Sequence, residues 1–257
     1  MSLLATFLVL VLAVWTYMTA WFIAARLTKR TDVVDSAWGL GFVFVAWIAW
    51  LLDSRQVDLR LLAVGFVSIW GIRLCAHITK RNLKKTEDYR YTAYREKWGD
   101  NYWLKAYVRI FLTQGFLLLV ISLPVIAIMS VPHHPAVAWL LVIGFIVWGG
   151  GIIFEAEADS ELQKFIKTKK PGEIMTTGLW RYSRHPNYFG EVTTWWGAAI
   201  VAVSLNQWWG VIGAAAITVL ITKVSGIPPL EKHYLGNKAF QTYAKRTSIF
   251  IPLPPKR

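Results

Sequence analysis

The chain has 257 residues, 55% of them hydrophobic and 15% aromatic, with a mean hydropathy of +0.41. This composition excludes an ordinary soluble domain and fits a multi-span membrane protein. Lys and Arg outnumber Asp and Glu by 28 to 15, for a net charge of +13; alone, that excess does not distinguish nucleic acid from a membrane surface as the partner.

Seven segments are long and apolar enough to cross about 30 Å of hydrocarbon, which takes about 20 helical residues. They run approximately over 3–25, 37–52, 59–78, 107–131, 136–156, 188–205 and 208–226. The first lacks a basic start and is too long for the core of a secretion signal, so it is expected to be a retained helix. The expectation is a single all-α transmembrane domain over residues 1–257.

Charge placement orients it. Arg26, Lys29 and Arg30 follow the first segment, and eight basic residues from Lys80 to Lys105 follow the third. Lys164, Lys167, Lys169, Lys170, Arg181 and Arg184 follow the fifth, and seven more from Lys223 onward follow the last. The other side keeps only Arg55 and Arg60, beside Asp53 and Asp58, and the connections VPHHP and NQ carry no Lys or Arg. Basic connections stay cytoplasmic. The N-terminus is therefore expected outside and the C-terminus inside, which requires an odd number of crossings. A basic cytoplasmic rim also accounts for the net charge, so no nucleic acid is expected as a partner.

Several polar groups sit at span depth, where they are costly and mark sites or buried pairs. Arg73, His77 and Arg81 recur every four residues in WGIRLCAHITKRN, which places them on one helical face. Glu155, Asp159 and Gln163 share that spacing in GGGIIFEAEADSELQKF, and Asn187 and Glu191 share it in RHPNYFGE. VVDSAWGLGF adds Asp35 where the second segment begins. The expectation is a polar cavity open to the cytoplasm. Its cations, tyrosines and amides suit a phosphate-bearing cofactor, with guanidinium groups for phosphate oxygens. The run GGG at 149–151 lies inside a span and lacks the strand context of a dinucleotide motif, so helix packing explains it. His133 and His134 have no acidic neighbours, and Cys75 is the only cysteine; no metal site and no disulfide framework are expected.

The stretches ADSELQKF, KKPGEIMTTGLWRYSRHPNYFGE and SGIPPLEKHYLGNKAFQTYAKRTSIFIP resemble the C-terminal half of the membrane steroid 5-alpha-reductase and sterol reductase superfamily, most of all its bacterial branch of unassigned lipid reductases. VVDSAWGLGF and the R-x-x-x-H-x-x-x-R run resemble that branch too. The resemblance implies a multi-pass protein of the bacterial inner membrane that binds NADPH and delivers a hydride to a carbon–carbon double bond of a lipid. It implies cofactor contacts at Asp159, Asn187, Glu191 and Tyr234, with Lys169 or Lys170 near phosphate and Tyr182, Arg184 and His185 in the shared signature. Residues 1–131 would form the lipid-substrate side and 136–257 the cofactor side. Arg73 or His77, oriented by Asp35, would donate to the substrate oxygen; Tyr91 or Tyr94 is the alternative donor, set farther out in the cytoplasmic connection. The Gln-Glu pair with which steroid 5-alpha-reductases hold a ketone is not found, which leaves the lipid open among steroid, isoprenoid and acyl chain. R-H-P-x-Y-x-G also resembles isoprenylcysteine and phospholipid methyltransferases, and S-adenosylmethionine chemistry is the alternative.

Overall fold

The computed structural model describes residues 2–52, 58–83, 85–130 and 137–256; Asp53, Arg55 and the His133–His134 pair lie outside them. Among the described residues the regular elements are helices. They are α1 (Leu3–Thr28), α2 (Val33–Leu51), α3 (Asp58–Asn82), α4 (Tyr89–Trp98), α5 (Tyr102–Ala106), α6 (Thr113–Ile121), α7 (Leu123–Met129), α8 (Ala138–Thr168), α9 (Pro186–Ser204), α10 (Val211–Val219), α11 (Ile227–Tyr234) and α12 (Lys238–Arg246). Short 3₁₀ and π turns join several of them.

Six helical runs are long and apolar enough to cross a membrane: Leu3–Thr28, Val33–Leu51, Leu59–Asn82, Tyr89–Ile121, Ala138–Thr168 and Trp208–Tyr234. Two expected boundaries move. The fourth run begins at Tyr89 rather than 107 and ends at Ile121, because Pro124 stands in the first turn of α7, where it lacks the N–H needed to continue the preceding helix. The expected sixth segment coincides with α9, which is not among the six. Asn187, Glu191, Thr193, Thr194 and Ser204 dilute its apolar content, and eleven of its nineteen residues are buried.

The surface explains why these helices suit a bilayer. On α1 only Leu10, Val14, Met18 and Ala25 are buried, while Leu4, Leu8, Leu12 and Trp15 are exposed. Large apolar side chains facing outward along a whole helix need a hydrocarbon solvent.

The chain divides into two compact units, residues 1–133 and 134–257. In the first, α2 and α3 cross where Gly39 meets Gly71, so closely that a methyl group on either would collide with the other's carbonyl. Trp38, Phe42 and Trp70 stack edge-to-face beside this crossing.

In the second unit, α8 and α9 run antiparallel, backbone against backbone. A Cβ on Gly144 would lie 2.8 Å from the Val201 amide, and one on Gly190 would lie 2.6 Å from that of Glu155. Between them, Gly197 faces Trp148 and Gly151 faces Thr194. Lipid tails are as apolar as leucine, so helices in a membrane gain little by hiding leucine from them; close approach through small residues is what holds this pair.

The glycine run separates packing from mere tolerance. A Cβ on Gly151 would lie 2.9 Å from the carbonyl oxygen of Gly190, whereas one on Gly150 meets nothing within 4 Å. Gly151→Ala is expected to destabilise the protein by about 1–3 kcal/mol through overpacking. Gly150→Ala should be neutral or raise stability by up to about 1 kcal/mol through helix propensity. Unfolding midpoints in mixed detergent, measured side by side, check the contrast.

Candidate active site

At 31 residues, α8 is about 46 Å long, so its last turns outrun the hydrocarbon. Glu155 and Asp159 lie one turn apart near that end, only 2% and 6% exposed. The start of α9 faces them, and Asn187 Nδ2 donates to Asp159 Oδ1 at 3.3 Å. A carboxylate that is buried needs such a donor. Glu191, one turn after Asn187, is half-buried on the same helix. The two stripes expected on α8 and α9 therefore meet, and Asp159–Asn187 is where they touch.

The signature immediately before α9 closes on the C-terminal segment. Glu231 on α11 takes both Arg184 (Nη2 to Oε2, 2.9 Å) and His185 (Nε2 to Oε1, 2.8 Å). A carboxylate only accepts, so the proton of a neutral His185 sits on Nε2. Arg184 Nη1 also donates to the Ala244 carbonyl at 3.0 Å. The chain from Ser248 to Leu253 is stitched alongside. Arg184 N donates to Ser248 O at 2.8 Å and Leu253 N to Tyr182 O at 3.0 Å, while Ser183 Oγ donates to Phe250 O at 2.7 Å. Tyr243 OH donates to the carbonyls of Trp180 and Ser183. Lys169 and Lys170 are exposed, and their loop is tied to the turn after Tyr234 by Asn237 Nδ2, which donates to Gly172 O at 3.2 Å. The rings of Tyr182 and Tyr234 remain 42% and 37% exposed.

Residues 21–247 match the family described as "Protein of unknown function (DUF1295)". The chain belongs to this steroid 5-alpha-reductase-like family. Rat and human proteins named 3-oxo-5-alpha-steroid 4-dehydrogenase 1 are each 32% identical to it over 114 residues, 42% and 43% of this chain and 40% of theirs. The bovine protein of that name is 30% identical over 113 residues, 42% of this chain and 40% of its own. The aligned part thus spans about two fifths of these relatives' length. No solved structure matches the chain.

The other expected site residues lie in the N-terminal unit, on α2 and α3. Arg73 and His77 are half-buried on α3. Asp35 is engaged from α4: Tyr91 OH donates to its Oδ1 at 2.6 Å and Arg90 Nη2 to its Oδ2 at 3.1 Å. Arg90 is in turn gripped by Asp88, through Nε at 3.0 Å and Nη2 at 3.2 Å. Tyr91 is 4% exposed, which corrects its placement far out in a connection: α4 folds it back onto Asp35. Glu231 was not among the expected site residues either. Its signal in the sequence was its isolation, as the single acidic residue after position 222.

Burial makes His185 a weaker base than an ordinary histidine, and Arg184 adds to this, although Glu231 pulls the other way. The ring otherwise stacks on Tyr188, at 5.7 Å between centroids. Below about pH 6.5 an exposed histidine of the unfolded chain takes up a proton that the folded chain resists. The unfolded state then binds more protons, so stability is full above that pH and is lost as pH falls through the lower folded value. The thermal midpoint in detergent should therefore decline from pH 7 to pH 5, and His185→Gln should flatten that decline.

Proposed function

We propose that the protein is a membrane-embedded, NADPH-dependent reductase of a polarised carbon–carbon double bond in a lipid of steroid, isoprenoid or unsaturated acyl type. The observation that carries this reading is the hydrogen bond from half-buried Asn187 to buried Asp159 at the foot of α8 and α9, in a chain similar to proteins named 3-oxo-5-alpha-steroid 4-dehydrogenase 1. In this reading α9 crosses the bilayer as the sixth of seven helices, with the N-terminus outside and the C-terminus in the cytoplasm of a bacterial cell. The strongly basic connections support that orientation.

The residues present fit the cofactor. Asp159 and Asn187 offer an acceptor and an amide for ribose hydroxyls or a carboxamide, and exposed Lys169 and Lys170 suit phosphate oxygens. Tyr182 and Tyr234 present half-open rings. Arg184, with nitrogens on Glu231 and Ala244, contributes its charge to that side and His185 its fixed ring. NADPH, when bound, supplies the hydride. Asn187 and Glu191 orient its reactive end, and holding reactants at about 3–3.5 Å is itself a large part of catalysis.

The N-terminal unit supplies the lipid's partners. Negative charge builds on the acceptor's oxygen as the double bond is reduced, and a fixed donor there stabilises it. Arg73 and His77 are the candidates for that donor, because Tyr91 gives its one phenolic proton to Asp35.

Asn187→Ala and Glu191→Gln are each expected to lower NADPH-dependent lipid reduction by about 100-fold or more, while the purified proteins still fold; Asn187→Ala also lowers the thermal midpoint, because buried Asp159 loses a donor. Equilibrium binding of labelled cofactors to the wild type provides the second check. Retention of S-adenosylmethionine but not NADPH would overturn the reductase reading, as would full turnover in both variants.

A further inference from the structure

The start of α9 is held by a carboxylate on another helix. His185 occupies the capping position, with φ −137° and ψ 59°, yet its side chain makes no capping hydrogen bond; such bonds normally satisfy the free amides of a first turn. The ring turns instead to Glu231, and its own amide donates to Ser183 Oγ at 3.1 Å. The neighbouring side chain, Arg184, reaches the other oxygen of the same carboxylate. Two consecutive residues are thus fixed by one group on a distant helix, and Pro186 follows them directly with a restricted φ.

Glu231 is itself firmly seated. The helix that carries it begins with Pro228 and Pro229 in its first turn. The turn before it is closed by Ser225 N on Leu220 O at 2.8 Å. A Cβ on Gly226 would lie 2.7 Å from Ile221 O, so the chain is packed tightly at that bend.

We propose that Glu231 is a positioning residue: through His185 and Arg184 it sets the direction in which α9 begins, and so aims Asn187 at Asp159 and Glu191 along the next turn. Its kinetic consequence rests on the reductase reading given above; its structural consequence does not. Loss of the carboxylate frees the turn before Pro186 and lets Asn187 wander. That misaligns the reacting groups without removing any group that binds the cofactor.

The test compares wild type, Glu231→Gln and Glu231→Asp. The first measurement is hydrogen–deuterium exchange in detergent without cofactor. Glu231→Gln should speed exchange of amides 189–191 about tenfold or more and leave 195–203 unchanged; Glu231→Asp, which keeps the charge, should restore part of the protection. The second is steady-state kinetics: kcat should fall about tenfold or more, with KM for NADPH within about threefold of wild type. Combining Glu231→Gln with His185→Gln should add little, because both act through one link. Unchanged exchange at 189–191, or faster exchange spread over the whole unit, overturns the proposal. So does a raised KM at constant kcat, which would make Glu231 a direct cofactor contact. Wild-type protein inert toward NADPH would end the reductase reading, and the exchange measurement would still decide the role of Glu231.

Discussion

The C-terminal unit depends on α8 and α9 touching along their backbones. Contacts step down α8 by three or four residues, through Gly144, Trp148, Gly151 and Glu155, and up α9 in the same rhythm, through Val201, Gly197, Thr194 and Gly190. One further step brings Asp159 opposite Asn187. The polar pair is therefore the next rung of a packing ladder whose other rungs each carry a glycine on one of the two helices. A membrane interior offers helices no water to flee, so the register has to come from shape. Here shape also dictates where the buried carboxylate finds its amide.

Below that ladder the chain changes character. From Gly178 to Arg181 it forms a 3₁₀ turn whose parts are held from two directions. Glu161 on α8 accepts the Leu179 amide at 2.9 Å, and Trp180 Nε1 donates to Ala158 O at 3.0 Å. On its other side lie α11, α12 and the extended residues after them. The signature residues are thus gripped between helix and tail, and their own side chains are largely committed to that grip. Such mutual bonding leaves few alternative arrangements, as a preorganised site requires.

Much of this was readable in advance. Four-residue spacing correctly paired Glu155 with Asp159 and Asn187 with Glu191, because helical periodicity is a local property. The apolar runs located most of the helices long and apolar enough to cross a membrane for the same reason. What escaped was non-local. Nothing near Glu231 in sequence says that its carboxylate will meet Arg184 and His185, 47 and 46 positions earlier. Tyr91 looked remote from Asp35 because a hydrophilic stretch, TEDYRYTAYREKW, reads as a connection. It folds as α4 instead, capped by Asp88, whose side chain accepts from the Arg90 amide. In α9 the reverse occurred: a segment rich in polar groups is buried by protein, so its hydropathy understates how enclosed it is.

The seam between Tyr182–Arg184 and Ser248–Leu253 bears on the order of assembly. α8 and α9 can meet as soon as both are made, since their contacts lie within residues 144–201. The signature cannot be sewn down until some seventy later residues have been translated. This part of the C-terminal unit therefore closes only after residues 248–253 have been made.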